Sequence, residues 1–538
     1  MKGGGMQVGA YVNRSNRNFK DARESEIYVD KTGLLEYTNS VLGTEQRFIC
    51  SSRPRRFGKS MTASMLSAYY GRGCDSRALF EGLKISGSDS FEKHLNRYDV
   101  IYLDMAEIRS ENTDFKEAIH AVHKNVIAEL NELYPDILKD EDRLLPPALF
   151  KVYQKTGSRF IVVIDEWDDV FRQEKNNIGA HEAYLEFLRA LFKNDRSREC
   201  IQFAYMTGIF PIKKYNNESA LNNFTEFTMV RPSRMAAYIG FTEAEVIALC
   251  RKYQMDFGEM KRCYDGYCLG RELHVYNPQA VIEAIHLGEI ENYWTGTSEY
   301  DKLQAYINMN FGGLKDMVVQ MFSGGRCKVN VDRFKNDLIS INRSDDVLTL
   351  LIHLGYLAYD KNTKEAYIPN EEVRTSYLNA IEDNDWTPVI EAVQASDRLL
   401  RATWEKDAEA VARGVEQVHM ANTSILSYNN ENALSCVITL AYYNAVNEYT
   451  LIREMPAGKG YADIVFLPRK SSDKPAMIVE LKYDKTPESA TRQIKERQYP
   501  EALKEYQGKV LLVGISYDKE SKTHGCVIEE WEREGGWV

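Results

Sequence analysis

Apolar and polar positions change their period three times along the 538 residues. In the first stretch, short apolar runs alternate with helical spacing. "QRFIC" is short and β-prone, and "KSMTASMLSAYY" after it places Met61, Met65, Leu66 and Tyr69 near the helical repeat. "VIYLDM" (Val100 to Met105), "RFIVVIDEWDDV" and "CIQFAYMTGI" are further runs, and Ile161 to Ile164 is apolar at every position. Such a run suits a parallel strand covered on both faces. With helical stretches such as "HEAYLEFLRALF" between them, these runs predict a doubly wound α/β sheet over residues 1–235.

The middle, 236–385, reads differently. "GFTEAEVIALCRKY" is an amphipathic helix, and "CYDGYCLG" and "VYNP" are turn-rich links of a helical lid. "DDVLTLLIHLGYLAYDKNTKEAYIPNEEV" predicts a helix and two short strands around "DKNTKE", a winged-helix pattern. Its helix carries Leu348, Leu350, Leu351, Ile352 and Leu354 behind Asp345 and Asp346, which suits internal packing better than phosphate contact. A helical linker over 386–425 leads to the last domain, 426–538. There, strands are expected at Leu451 to Glu454, Tyr461 to Leu467 and Met477 to Lys482, with a helix over "ATRQIKERQYPEALKEY".

Composition narrows the classes. Apolar residues at 44% and charged residues at 27% are those of a globular protein, and a net charge of -11 confines any nucleic-acid contact to a local basic groove. Nine scattered cysteines suit reduced thiols in a cytoplasmic protein. Cys263 and Cys268 lack a second pair at zinc spacing, so they read as buried thiols. The start "MKGGGMQVGAYVNRSNRNFK" has no apolar signal core and no stretch has eighteen uncharged apolar residues, so no membrane partner is expected.

Chemistry enters at "SSRPRRFGKS". A strand, a loop ending Gly58-Lys59-Ser60 and a helix aim backbone N–H groups at a phosphate. Arg53 stands where the first glycine of such loops belongs. Arg53, Arg55 and Arg56 suit phosphate, a neighbouring chain or a solvated edge. Asp165 and Glu166 end an apolar strand, where one acid holds magnesium and the next activates water, or where both merely cap a helix. Thr207 ends the third strand, within reach of a terminal phosphate or in a turn. In the last domain, Glu480 and Lys482 share a strand face and Asp463 lies on the neighbouring strand. Two carboxylates held this way can bind Mg²⁺ against a phosphodiester, with the lysine positioning water or stabilising the developing anion. The same spacing also occurs where alternating charge faces solvent.

"YVDKTGLLEY", "RPRRFGKS", "VVIDEWDD", "MTGIFPI", "GFTEAEV", "CYDGYCLG", "VYNP" and "YWTGTS", in this order, resemble the serial motifs of the bacterial AAA-ATPase-like family, whose members carry a C-terminal PD-(D/E)XK nuclease-like domain. The resemblance runs from about Gln7 to the end. It implies a P-loop ATPase domain, a lid with a winged-helix-like region and a nuclease-like α/β domain. ATP would be held by Arg53, Pro54, Arg55, Arg56, Phe57, Gly58, Lys59 and Ser60 with Asp165 and Thr207, and Mg²⁺ by Ser60 and Asp165, Glu166 being the base. Asp463, Glu480 and Lys482 would be the nuclease centre, with Glu431 a further metal contact, Mg²⁺ or Mn²⁺ the ion, and Gln493 and Tyr499 in support. Relatives have an arginine where this chain has Tyr461, which removes a phosphate contact.

The reading that follows is an ATP-controlled, metal-dependent nuclease acting on DNA rather than RNA, in defence or DNA processing. The alternatives are a signalling or scaffold ATPase whose nuclease fold only binds, and a chain that turns over neither substrate and assembles with a partner. A homo-oligomer is an expected form, and Arg231 and Arg234 are candidates for an arginine finger.

Overall fold

The computed structural model describes residues 8–112, 114–212, 214–215, 218–219, 221–269, 273–294, 300–309, 311–335, 341–382, 387–421, 431–457, 460–469, 474–503, 506 and 508–531. Two compact units divide the chain: Met1–Gly296 with Lys328–Glu372, and Thr297–Cys327 with Val373–Val538.

The first unit is built on five parallel strands, β1 (Phe48–Ser52), β2 (Asp99–Asp104), β3 (Phe160–Asp165), β4 (Ile201–Gly208) and β5 (Thr225–Phe227), in the order β2-β3-β4-β1-β5. The apolar run in β3 is buried at every residue, as a strand covered on both faces requires. Phe48, Cys50, Ile101, Leu103, Val162, Ile164, Ala204 and Met206 share a core with helices Phe115–Leu133, Leu145–Thr156 and Ile178–Phe192. Helix α1 (Lys59–Tyr70) packs on β3 and β4. Parallel register brings Asp104 beside Asp165 and Ser51 beside Thr207, all at the carboxyl end of the sheet. Short helices α2 (Met105–Ser110) and α3 (Asp169–Gln173) start just beyond that edge.

Helix α4 (Glu243–Tyr253) begins with a capping box: the Thr242 side chain accepts from Glu245 N–H, and the Glu245 carboxylate accepts from Thr242 N–H at 2.8 Å. Helix α5 (Pro278–Leu287) opens on proline and ends at Gly288 with φ 73°. Both share a small core with Ile27. Helix α6 (Ser344–Leu354) and antiparallel strands Ala358–Asp360 and Glu365–Tyr367 form the helix-and-wing pattern read from the sequence. All of Asp346 to Leu354 is buried, so this helix has no face open to phosphate.

The second unit carries helix α7 (Glu431–Ala441) and a mixed sheet of five strands in chain order: β6 (Tyr449–Ala457), β7 (Gly460–Pro468), β8 (Ala476–Tyr483), β9 (Val510–Asp518) and β10 (Thr523–Trp531). Only β8 and β9 are parallel, and helix α8 (Pro487–Glu496) makes the crossover between them. The strands extend beyond the expected spans, and the expected long helix is shorter. It stops at Glu496 because Gln498 takes φ 57° and Pro500 disfavours helix in the residue before it; a 3₁₀ turn, Tyr499–Leu503, follows.

Candidate functional sites

The loop between β1 and α1 frames a cavity of about 1020 Å³ at the carboxyl end of the first sheet. Gly58 precedes α1 with φ 87°, a left-handed conformation that favours glycine and turns the chain into the helix. Residues 55–60 line the cavity together with Glu166. Lys59 Nζ donates to Pro54 O at 3.0 Å and lies 4.0 Å from Glu166 Oε1, with its side chain 4% exposed. Burial lowers its pKa, and the carboxylates of Glu166, Asp168 and Asp165 oppose that shift. An ammonium held this way is a fixed positive charge in a weakly screened site, suited to a phosphate.

Asp165 ends β3 and is buried, which pushes its carboxyl up to about 6; a hydrogen bond from Ser60 pulls it back. The hydroxyl and carboxylate expected to share a metal are thus neighbours at this edge. Tyr102 OH donates to Asp165 Oδ2 at 3.2 Å. Glu166 follows with φ 47°, which turns it out of the strand toward Lys59 and Arg172. Thr207 is fully buried with its hydroxyl unpartnered among the described residues, and it does not line the cavity.

Arg53 and Pro54 do not line the cavity either. Arg53 N–H donates to Gly208 O at 3.0 Å, so the residue prolongs the β1–β4 ladder and its side chain enters the sheet interior. There Nη1 donates to Ser52 O at 2.8 Å and to Phe227 O at 3.4 Å, and burial lowers its pKa to about 10. Arg56, by contrast, is exposed and donates to Tyr293 O at 3.1 Å. Of the finger candidates, Arg231 pairs with Asp332 at 2.9 Å and Arg234 lies over the Tyr37 ring; neither lines the cavity. Arg109 and Arg172, which sequence reasoning passed over, do line it. The missed signal for Arg172 was its position four residues after Asp168, one helical turn on.

The second centre lies where β7 and β8 separate. Their pairing ends at Ile464 with Val479, and the next position sets Asp463 opposite Glu480. Asp463 Oδ2 accepts from Leu481 N–H at 2.7 Å, replacing the lost ladder bond. Lys482 Nζ donates to Glu480 Oε1 at 3.0 Å, and Gln493 Nε2, from α8, donates to the same oxygen. Gln493 also donates to Tyr499 OH at 3.2 Å. Burial, followed by the charge of Asp463, pushes the Glu480 carboxyl up to about 7, while Lys482 opposes. Glu480 Oε2 is buried with no partner among the described residues, so a buried lone pair is left for a cation. Asp463, Glu480 and Lys482 thus come together. Glu431 opens α7, but its side chain lies outside the described residues. Tyr461 is 65% exposed.

A third group, Glu243, Asp265 and His274, brings its ligand atoms within 4.8 Å of one another. Lys261 already pairs with Glu243 at 2.6 Å and His274 Nδ1 hydrogen-bonds Asp265 at 2.8 Å, so each member already has a partner. Cys263 is buried and Cys268 half-buried. Among the described residues no helix is long and apolar enough to cross a membrane.

Two family models match the chain. Residues 16–216 match an AAA-ATPase-like family described as predicted AAA-ATPase, and residues 429–527 match the PD-(D/E)XK nuclease superfamily. No curated protein matches. Among solved structures, the chain is similar to the ORC2 protein of Aeropyrum pernix in ADPNP-ADP complexes, at 10% identity over 67% of this chain and 97% of that one, TM-score 0.30. It is also similar to PCH-2 of C. elegans, at 13% identity over 63% of this chain and 71% of that one, TM-score 0.22.

Proposed function

We propose that this chain, in which residues 16–216 are an AAA-ATPase domain and residues 429–527 a PD-(D/E)XK nuclease superfamily domain, hydrolyses ATP and uses its nucleotide state to control cleavage of nucleic-acid phosphodiesters. The observation that carries the reading is Glu480: buried beside Asp463 and Lys482, it keeps a carboxylate oxygen unpartnered among the described residues.

In the first unit, Lys59 and the backbone N–H groups after Gly58 receive the triphosphate, and Arg55 and Arg56 stand at the cavity wall. Ser60 and Asp165 would hold Mg²⁺, which would supply charge neutralisation for the triphosphate when bound. Glu166 accepts the proton of the attacking water as the bond to the terminal phosphate breaks.

In the second unit, Asp463 and Glu480 would hold Mg²⁺, or Mn²⁺ in its place, which supplies Lewis-acid activation of the phosphodiester when bound. Lys482 stabilises the developing anion, and Gln493, fixed by Tyr499, orients Glu480. The domains divide as 1–235, 236–385, 386–425 and 426–538. DNA is the favoured substrate over RNA, the setting is the cytoplasm, and defence or DNA processing is the role that joins an ATP switch to a nuclease.

The test is cleavage of labelled DNA and RNA by purified chain with Mg²⁺ or Mn²⁺. Cleavage is expected in the wild type and absent in Glu480→Ala and Lys482→Ala, with ATP hydrolysis retained in both. Equal cleavage in these variants removes the nuclease assignment.

A further inference from the structure

Arg172 touches three carboxylates at once. Its Nε donates to Asp168 Oδ2 at 3.1 Å, its Nη2 donates to Glu166 Oε2, and the same nitrogen lies 3.5 Å from Asp169 Oδ1. The side chain is only 9% exposed, so these contacts are shielded from solvent. Asp168 is fully buried and is itself anchored: its Oδ2 accepts from the backbone N–H of Ile209 at 3.1 Å and of Phe210 at 2.8 Å. Those amides follow Thr207 and Gly208 at the end of β4. At Gly208 a Cβ would stand 2.4 Å from Asp168 Oδ1, so glycine alone lets the carboxylate approach this backbone. A continuous chain of contacts therefore runs from the end of β4 through Asp168 and Arg172 to one oxygen of Glu166, whose other oxygen faces Lys59 at 4.0 Å.

Resting on the ATPase reading above, we infer that Arg172 is a positioning residue for ATP hydrolysis: it fixes the direction of the Glu166 carboxylate and ties it to the strand end that follows Thr207. A flexible side chain on a left-handed residue has no local reason to hold one direction. Arg172 supplies that reason with a forked donor that bridges Glu166 and Asp168, which a single ammonium reproduces poorly. Because Arg172 acts through Glu166, its loss lowers kcat and leaves ATP binding in place.

The experiment compares Arg172→Ala, Arg172→Lys and Asp168→Asn in the full chain, measuring kcat and KM for ATP and the rise in Tm on adding ATP with Mg²⁺. Expected is a fall in kcat of about 100-fold for Arg172→Ala, a smaller fall for Arg172→Lys, and KM and the ligand-induced Tm rise close to wild type in both. Asp168→Asn, which weakens the anchor, is expected to lower kcat in the same selective way. Should Arg172→Ala fail to fold, Arg172→Lys decides alone. Wild-type kcat in Arg172→Lys together with Arg172→Ala, or in Arg172→Lys where it stands alone, overturns the inference. So does a raised kcat, which would make Arg172 a restraint, or a parallel loss of ATP binding. A wild type that binds ATP without hydrolysing it overturns the ATPase reading and this inference together, whereas an active wild type with unaffected variants overturns this inference alone.

Discussion

Asp463 and Glu480 face each other at the first position beyond the last paired residues of β7 and β8, Ile464 and Val479. Asp463 gives one oxygen to Leu481 N–H, and Glu480 Oε1 receives both Lys482 and Gln493, so side-chain bonds continue where the ladder stops. Replacing Glu480 by Gln keeps the shape and removes the charge. Metal binding by this centre, read by calorimetry with Mn²⁺ in the presence of a Lys59→Ala background, is expected to weaken at least about 10-fold.

Lys59 is a buried cation whose strongest direct bond is to Pro54 O. Lys59→Ala is expected to abolish the Tm rise caused by ATP with Mg²⁺ and to lower hydrolysis by about 100-fold or more, since it removes a fixed charge aimed at the transferring phosphate. Unliganded Tm should hold, because Asp165 keeps the Tyr102 hydroxyl and Glu166 and Asp168 keep Arg172. Thermal shift with and without nucleotide checks both statements.

Arg53→Met separates the two kinds of loop arginine. Arg53 is enclosed behind the sheet, so KM for ATP is expected to stay within about two-fold of wild type while Tm changes. A large loss of ATP affinity at constant Tm would place the side chain on the nucleotide after all.

Glu372 predicts a pH dependence of stability. It is 4% exposed, and burial pushes its carboxyl up to about 7, against the pull of the Tyr293 and Trp294 amides and Arg56. The folded chain thus keeps this proton to about 7, whereas the unfolded chain releases it near 4.5. The resulting stability is fully present below 4.5 and is lost as pH rises through about 7. Tm measured from pH 5 to pH 8 should fall less in Glu372→Gln than in wild type.

Much of this was legible in the chain itself. The four central strands followed from continuous apolar runs, and Lys59, Asp165 and Glu166 from motifs whose parts are local in sequence. Glu480 and Lys482 followed from the two-residue strand period, and Asp463 from the neighbouring strand. What stayed hidden depends on tertiary contact. Arg53 looked like a loop residue, yet the Gly208 carbonyl draws its backbone into the ladder and its side chain into the interior. Arg172 gains its meaning only from Asp168, whose anchoring amides lie some forty residues away at Ile209 and Phe210. Gln493 and Tyr499 entered only through a resemblance, because no local pattern marks a helix residue that reaches a strand carboxylate.

The most direct test of nucleotide-controlled cleavage is the rate of DNA cutting in Mg²⁺ by wild type and Lys59→Ala, each with and without ATP. The account predicts a rate that changes with ATP in the wild type, no such change in Lys59→Ala, and no cutting by Glu480→Ala under any condition. Wild-type cutting at one rate with or without ATP, or cutting that survives in Glu480→Ala, would contradict it.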